Sequence, residues 1–177
     1  KTDRPINLNF FCHRQAADDP ARQERWKKRL APFYKELGLD PDNVPPSPAR
    51  APFDAEFCAV VEEIRPEIVS FHFALPEESL LKRVKKTGAI ILSSATTVEE
   101  AVWLELRGVD AVAAQGAEAG GHRSMFLTND PATQIGTIAL VPQIADAISI
   151  PVIASGGIAD ARGIRAALAL GASGVQI

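Results

Sequence analysis

Cysteine is almost absent from this chain. Cys12 and Cys58 are its two thiols, and their spacing suits neither a metal site nor a disulfide framework. That excludes a small stapled domain and fits a reducing compartment. Histidine is nearly as scarce, at three residues (His13, His72 and His122), and no Asp or Glu cluster joins them at ligand intervals, so no structural metal is expected. Nor is there an excess of charge of one sign: a net charge of −3 and a pI near 5.6 give no electrostatic reason to expect nucleic acid or an anionic membrane as partner. No apolar run approaches the ~20 residues of a membrane span, and the opening Lys1-Thr2-Asp3-Arg4-Pro5 has none of the apolar core of a secretory signal. These absences read as a soluble, cytoplasmic protein.

What is present is an alternation of strand-like and helix-like segments along the whole chain, which argues for βα units and a parallel sheet. Strands are expected at Ile6 to Phe11, Ile68 to Phe73, Ala89 to Ser93, Ala111 to Gln115, Val152 to Ser155 and from about Gly174. Helices are expected at Pro20 to Leu37, Ala55 to Ile64, Glu77 to Lys86, Val98 to Arg107, Ile138 to Ile148 and Ala161 to Leu170. Thr97, followed by Glu99 and Glu100, has the chemistry of a helix start. Trp26 and Trp103 fall inside helices at packing positions, and the proline-rich stretch Asp40 to Pro52 reads as a surface loop.

Period-two alternation sorts the strand residues. In Val69-Ser70-Phe71-His72-Phe73 the odd positions belong to a helix-packed face and His72 to the other; in Ile6-Asn7-Leu8-Asn9-Phe10 both asparagines share one face. No Gly-x-Gly-x-x-Gly follows the first strand, as a dinucleotide-binding fold would require. The glycine-rich turns instead come late, at Gly120-Gly121 and Gly156-Gly157, where (β/α)8 enzymes hold phosphate.

The stretch Gln115 to Ser124, Gln-Gly-Ala-Glu-Ala-Gly-Gly-His-Arg-Ser, carries the most information. It follows a strand, so His122 is expected at a strand's C-terminal end, where parallel α/β proteins do their chemistry. Histidine is the side chain that exchanges protons near neutral pH, and glycines let a backbone approach a bulky ligand closely. Glu118 reads best as a brace on the loop, while Arg123 suits either an anionic substrate or a carboxylate partner. Small residues at Ala111, Ala113, Ala154 and Gly156 leave room for a planar ligand.

Together with Pro5 to Phe11, Val69 to Phe73, Ser94 to Ala101, Pro151 to Ile158 and Gly171 to Ile177, the Gln115 to Arg123 part of that loop makes the chain resemble the nitronate monooxygenase (2-nitropropane dioxygenase) family, FMN-dependent (β/α)8 enzymes. The resemblance implies a single FMN-binding TIM-barrel domain over 1–177, partial because six strands are recognised where a barrel has eight. It implies flavin contacts from Asn9, Gln115, Gly120, Gly157 and Gln176, with His122 as catalytic base and His72, Gly121 and Arg123 at the substrate pocket. The implied reaction is oxidation of an alkyl nitronate or nitroalkane with dioxygen, giving a carbonyl compound and nitrite; a homodimer is compatible with it. Ser124 and Ala74 stand where the family commonly has glycine. A flavin enoyl-thioester reductase has a similar Glu-Ala-Gly-Gly-His loop, and an incomplete, non-catalytic barrel fragment is the reading from a different class.

Overall fold

The computed structural model describes residues 4–15, 17–43 and 51–177. The proline-rich loop therefore lies partly outside the described residues. The chain divides into two compact units, one comprising residues 1–13 and 52–177, the other residues 14–51.

The first unit is built on six strands: β1 (Asn7–Phe11), β2 (Ile68–His72), β3 (Ile90–Ala95), β4 (Ala111–Gln115), β5 (Val152–Ser155) and β6 (Gly174–Gln176). All are parallel, and each pairs with the next in sequence. A doubly wound sheet reverses its order at a switch point. Strictly sequential order is what a barrel wall requires, because right-handed crossovers between neighbours put every helix on the same side. This open wall of six strands is a partial TIM barrel.

The helices explain which side that is. Numbering α1 as Pro20–Leu37 of the second unit, those over the sheet are α2 (Ala55–Ile64), α3 (Glu78–Lys86), α4 (Val98–Glu105), α5 (Thr137–Ala147) and α6 (Ala161–Ala169). Cys58 and Val61 of α2, Leu81 and Val84 of α3, Leu104 of α4 and Ile144 of α5 share one apolar core with Val69, Phe71, Ile91, Val112 and Ala154 from the strands. Asp54, Thr97 and Asp160 cap α2, α4 and α6 with side-chain oxygens.

Cross-strand register then fixes the concave face. Asn9, Ser70, Leu92 and Ala111 form one row; Gln115, Ser155 and Gln176 form another at the C-terminal ends. Two expectations fail here. Ala154 packs into the helix-side core, so it does not floor a ligand site. Phe73 leaves the alternation: β2 ends at His72, and Phe73 and Ala74 adopt φ of 64° and 84°, which turns the Phe73 ring onto the concave rim.

In the second unit, Asp19 caps α1 and Gly38, at φ 64°, ends it. Trp26, Leu30, Phe33 and Leu37 form an exposed stripe on it, so Trp26 is outside the core. Trp103, in α4, is half-buried, set edge-on to Phe126 and covered by the Arg107 guanidinium. Among the described residues no helix is long and apolar enough to cross a membrane.

Candidate functional site

The loop after β4 is folded back over the strand that launches it. Gln115, buried at the end of β4, turns its side chain onto that loop: Nε2 donates to the His122 carbonyl (2.9 Å), and Oε1 accepts from Ser124 N (2.9 Å) and Oγ (3.1 Å). The hydroxyl that distinguishes Ser124 from glycine is thereby satisfied in a fully buried position. Gly116 can be nothing else, since a Cβ there would lie 2.0 Å from Thr137 Oγ1.

Arg123 extends the staple. Its Nη2 donates to the Gln115 carbonyl (3.1 Å) and its Nη1 to that of Gly116 (2.5 Å), while Nε and Nη2 both reach Gln134 Oε1. Gln134 Nε2 in turn donates to Thr96 Oγ1 (3.2 Å). The carboxylate partner expected for Arg123 is not what this geometry shows, because the planar fork is engaged by uncharged oxygens of its own loop. Burial pulls the Arg123 pKa down from the usual arginine value, against the pull of Glu100 and Glu118.

Glu100 anchors the far end. It is fully buried, and its carboxylate accepts from Thr96 N (2.7 Å), Thr96 Oγ1 (2.8 Å), Phe126 N (2.6 Å) and Leu127 N (3.1 Å). Four donors are what a carboxylate needs when water is excluded. Glu118 caps α5 from outside the helix, accepting from Thr137 N (2.8 Å) and Oγ1 (2.9 Å), because Gly136 at the N-cap has no side chain to do so. Burial works to raise the Glu118 pKa, but the Thr137 donors, its own backbone N–H and the Arg123 charge together outweigh it and hold the carboxyl below the ordinary range. The expected brace is therefore seen at Glu118.

His72 reaches the same loop from β2. Its Nε2 lies 3.3 Å from the His122 carbonyl and its Nδ1 3.2 Å from Ser94 Oγ. A carbonyl only accepts, so the proton belongs on Nε2 and the Ser94 hydroxyl donates to Nδ1. Burial lowers the His72 pKa, and the neighbouring His122 adds to that, against the hydrogen bond to the His122 carbonyl. A neutral ring serves both bonds.

His122 itself is exposed. Its main chain is bound twice, yet among the described residues no hydrogen bond reaches its ring nitrogens. The ring lies against Phe11 (centroids 5.2 Å apart) and Phe73 (5.9 Å). All three histidines gather on this pair, with His13 at 6.4 Å from Phe11 and 6.3 Å from Phe73.

His122, His72, Gln115, Gly121 and Arg123 are thus brought together, and Asn9 is not. It sits in the middle of β1, not at its end, with Oδ1 accepting from Ser70 Oγ (2.8 Å). Gln176 is the last residue of β6, level with Ser155, and Gly157 lies in the turn after β5. Sequence reasoning missed Phe11, His13, Phe73, Ser94 and Gln134. Phe11 was readable from the alternation that pairs it with Asn7 and Asn9; Gln134 lies in an aperiodic loop that carried no signal.

The concave face suits a flat ligand with an anionic tail. Ala111, Ala113 and Gly174 floor it, and a Cβ added at Gly120, Gly121 or Gly174 would meet nothing within 4 Å. After β5, Gly156 (φ 116°) and Gly157 (φ 68°) turn through positive φ, and among the described residues no oxygen accepts from their amides. Successive free N–H groups in a turn make an anion-binding concavity. These donors and this space have the chemistry to hold a flavin, whose flat ring needs small residues beneath it and whose anionic tail needs free N–H groups.

Comparison with known proteins points to one family. A nitronate monooxygenase from Pseudomonas aeruginosa is 46% identical over 183 residues, covering 99% of this chain and 50% of that protein. A probable nitronate monooxygenase from Bacillus subtilis is 54% identical over 190 residues, with 99% and 50% covered. Among solved structures, nitroalkane oxidase from Streptomyces ansochromogenes superposes with a TM-score of 0.84 at 34% identity, over 99% of this chain and 50% of that one. FabK from Thermotoga maritima follows at 0.66 and 28%, over 99% and 42%. The chain spans about half the length of the curated relatives it matches. The nitronate monooxygenase family model matches residues 1–177, and the chain belongs to that family.

Proposed function

We propose that this chain supplies the base and the flavin-facing wall of an FMN-dependent enzyme that oxidises alkyl nitronates, and neutral nitroalkanes, with dioxygen to a carbonyl compound and nitrite. The observation that carries this reading is His122: an exposed imidazole with unbound ring nitrogens, fixed through its main chain at the C-terminal rim of a parallel wall. Bound FMN would take electrons from the substrate and pass them to dioxygen.

The residues of the chain then divide the work. His122 accepts the α-proton of a neutral nitroalkane and, with a nitronate, helps position the anion. His72 shapes the pocket wall while remaining neutral, its polarised Nε2–H occupied by the loop. Gln115, whose amide is spent on residues 122 and 124, serves chiefly to hold the base in place, with its buried position level with Ser155 and Gln176 at the flavin edge. Arg123 belongs to that support and not to substrate capture. Gly120, Gly121 and Gly157 give the flavin its approach, and Asn9 lines the cleft more deeply. Two unpaired thiols agree with a cytoplasmic setting.

The test replaces His122 with Asn in the full-length, flavin-loaded protein. Turnover of a neutral nitroalkane is expected to fall by about 10²–10⁴-fold, the usual contribution of a general base. Turnover of the corresponding nitronate should fall much less. Equal loss for both substrates removes His122 from the base role, and rapid substrate-dependent NAD(P)H oxidation by the wild type replaces the reaction with an enoyl-thioester reduction.

A further inference from the structure

The hydrogen bonds that place His122 all end on its main chain, which leaves the orientation of its imidazole unexplained. Gln115 and His72 hold the carbonyl, and Ser124 N is tied next door. Beyond Cα the side chain still has two free torsions. It follows Gly120 and Gly121, the latter at φ 75°, and a Cβ at either would meet no neighbour within 4 Å, so nothing on that side confines it.

Aromatic rings do. Phe11, the last residue of β1, meets the imidazole at 5.2 Å and 61°, and Phe73, just beyond β2, meets it at 5.9 Å and 86°. The two phenyl rings are themselves edge-to-face, at 5.4 Å and 72°, so they form one angular wall and not two independent contacts. Phe73 reaches that wall by an unfavourable route. Alternation along β2 would send it to the helix-packed side with Val69 and Phe71; left-handed backbone at both Phe73 and Ala74 turns it back. Side chains tolerate such φ values only where surrounding structure holds them, and these conformations cluster at functional sites.

We propose that Phe11 and Phe73 are positioning residues that orient the His122 imidazole by aromatic edge contact, leaving both ring nitrogens free for proton exchange with the substrate. This rests on His122 being the base. A carboxylate partner would fix the ring equally well, but would occupy a nitrogen. Hydrocarbon edges fix it without taking a hydrogen-bonding site, and a base must approach its carbon acid within hydrogen-bonding reach.

The experiment compares Phe73→Leu, Phe11→Leu and the conservative Phe73→Tyr with wild type in the full-length, flavin-loaded protein. Steady-state kinetics on a neutral nitroalkane and its nitronate are measured beside imidazole proton NMR shifts, with the His122 resonance assigned by its loss in His122→Asn. In Phe73→Leu, kcat for the neutral nitroalkane should drop about tenfold more than kcat for the nitronate, within the loss a misplaced group causes, with little change in KM. The His122 resonance should move as the phenyl ring current is lost, and Phe73→Tyr should restore both rate ratio and shift. Equal falls for the two substrates, or an unmoved His122 resonance, overturn the proposal. If His122→Asn spares the neutral substrate while the resonance still responds to Phe73→Leu, the base assignment has failed and the contact has not. A leucine variant that does not fold gives way to Phe73→Tyr: a resonance and rate ratio that match wild type sustain the proposal, and a changed ratio with an unmoved resonance ends it.

Discussion

On the helix-packed face of the sheet, Val69, Phe71, Ile91 and Val112 are buried among apolar helix residues, whereas alternate residues of the same strands carry Asn9, Ser70, Ser94 and Gln115 into the concavity. The first face is held by burial, which is non-directional and forgives a change of apolar residue more readily than a loss of volume. The second is held by directed bonds, half of them joining strand side chains to the backbone of one loop. A strand of five residues thus serves stability with one half of its side chains and placement of the histidine-bearing loop with the other. The comparison teaches that the two roles fail differently.

The sharpest break in that comparison is a pair of neighbours on β3. Ile91 is fully buried, while Ile90, one residue earlier, is 50% exposed on the concave side. Ile91→Ala should cost about 2–5 kcal/mol of unfolding free energy in this chain, and Ile90→Ala roughly 1 kcal/mol. Equal losses by urea denaturation would mean that the concave face is as much a core as the convex one.

Acid should next distinguish the faces. His72 is half-buried, which disfavours its charged form, so its folded pKa lies below the ordinary 6.5. For a group whose folded pKa is depressed, the stability it contributes is present above the unfolded value and lost as pH falls through the folded one. The urea midpoint of wild type should therefore decline as pH falls below about 6.5, the usual histidine value, more steeply than that of His72→Gln. Parallel declines would show that the bonds from His72 to Ser94 and His122 do not depend on a neutral ring.

The smallest effect is expected at Ala74. Relief of its left-handed strain, less the entropy of an added glycine, should make Ala74→Gly more stable by about 1 kcal/mol. A lower midpoint would mean that the turn carrying Phe73 is not strained.

Legibility in the sequence followed range. The strand ranges, the asparagine face of β1 and the inward turn of His72 came from period-two alternation. The cap at Thr97 acts within three residues of itself. Glu100 was readable as an early-turn carboxylate of α4 but not as the acceptor for Phe126 and Leu127, more than twenty residues away. Arg123 had two reasonable electrostatic roles in the sequence, and neither foresaw its bonds to Gln134 and two carbonyls, which the loop's return brought within reach. Among the site residues, Gln115 and His122 were read in one loop with separate roles, while the amide that joins them through a main-chain carbonyl was not foreseen.

By itself, the sequence determined the alternation of parallel strands and helices, the faces of the strands and the loop that bears the histidine, since each of these is written in periodicity and local backbone preference. The tertiary structure alone decided that Phe73 turns back to meet Phe11 and His122, and that a chain of buried bonds through Gln115, Arg123, Gln134 and Glu100 holds the loop. Those depend on a positive φ and on partners distant in sequence, and neither leaves a mark in the order of residues.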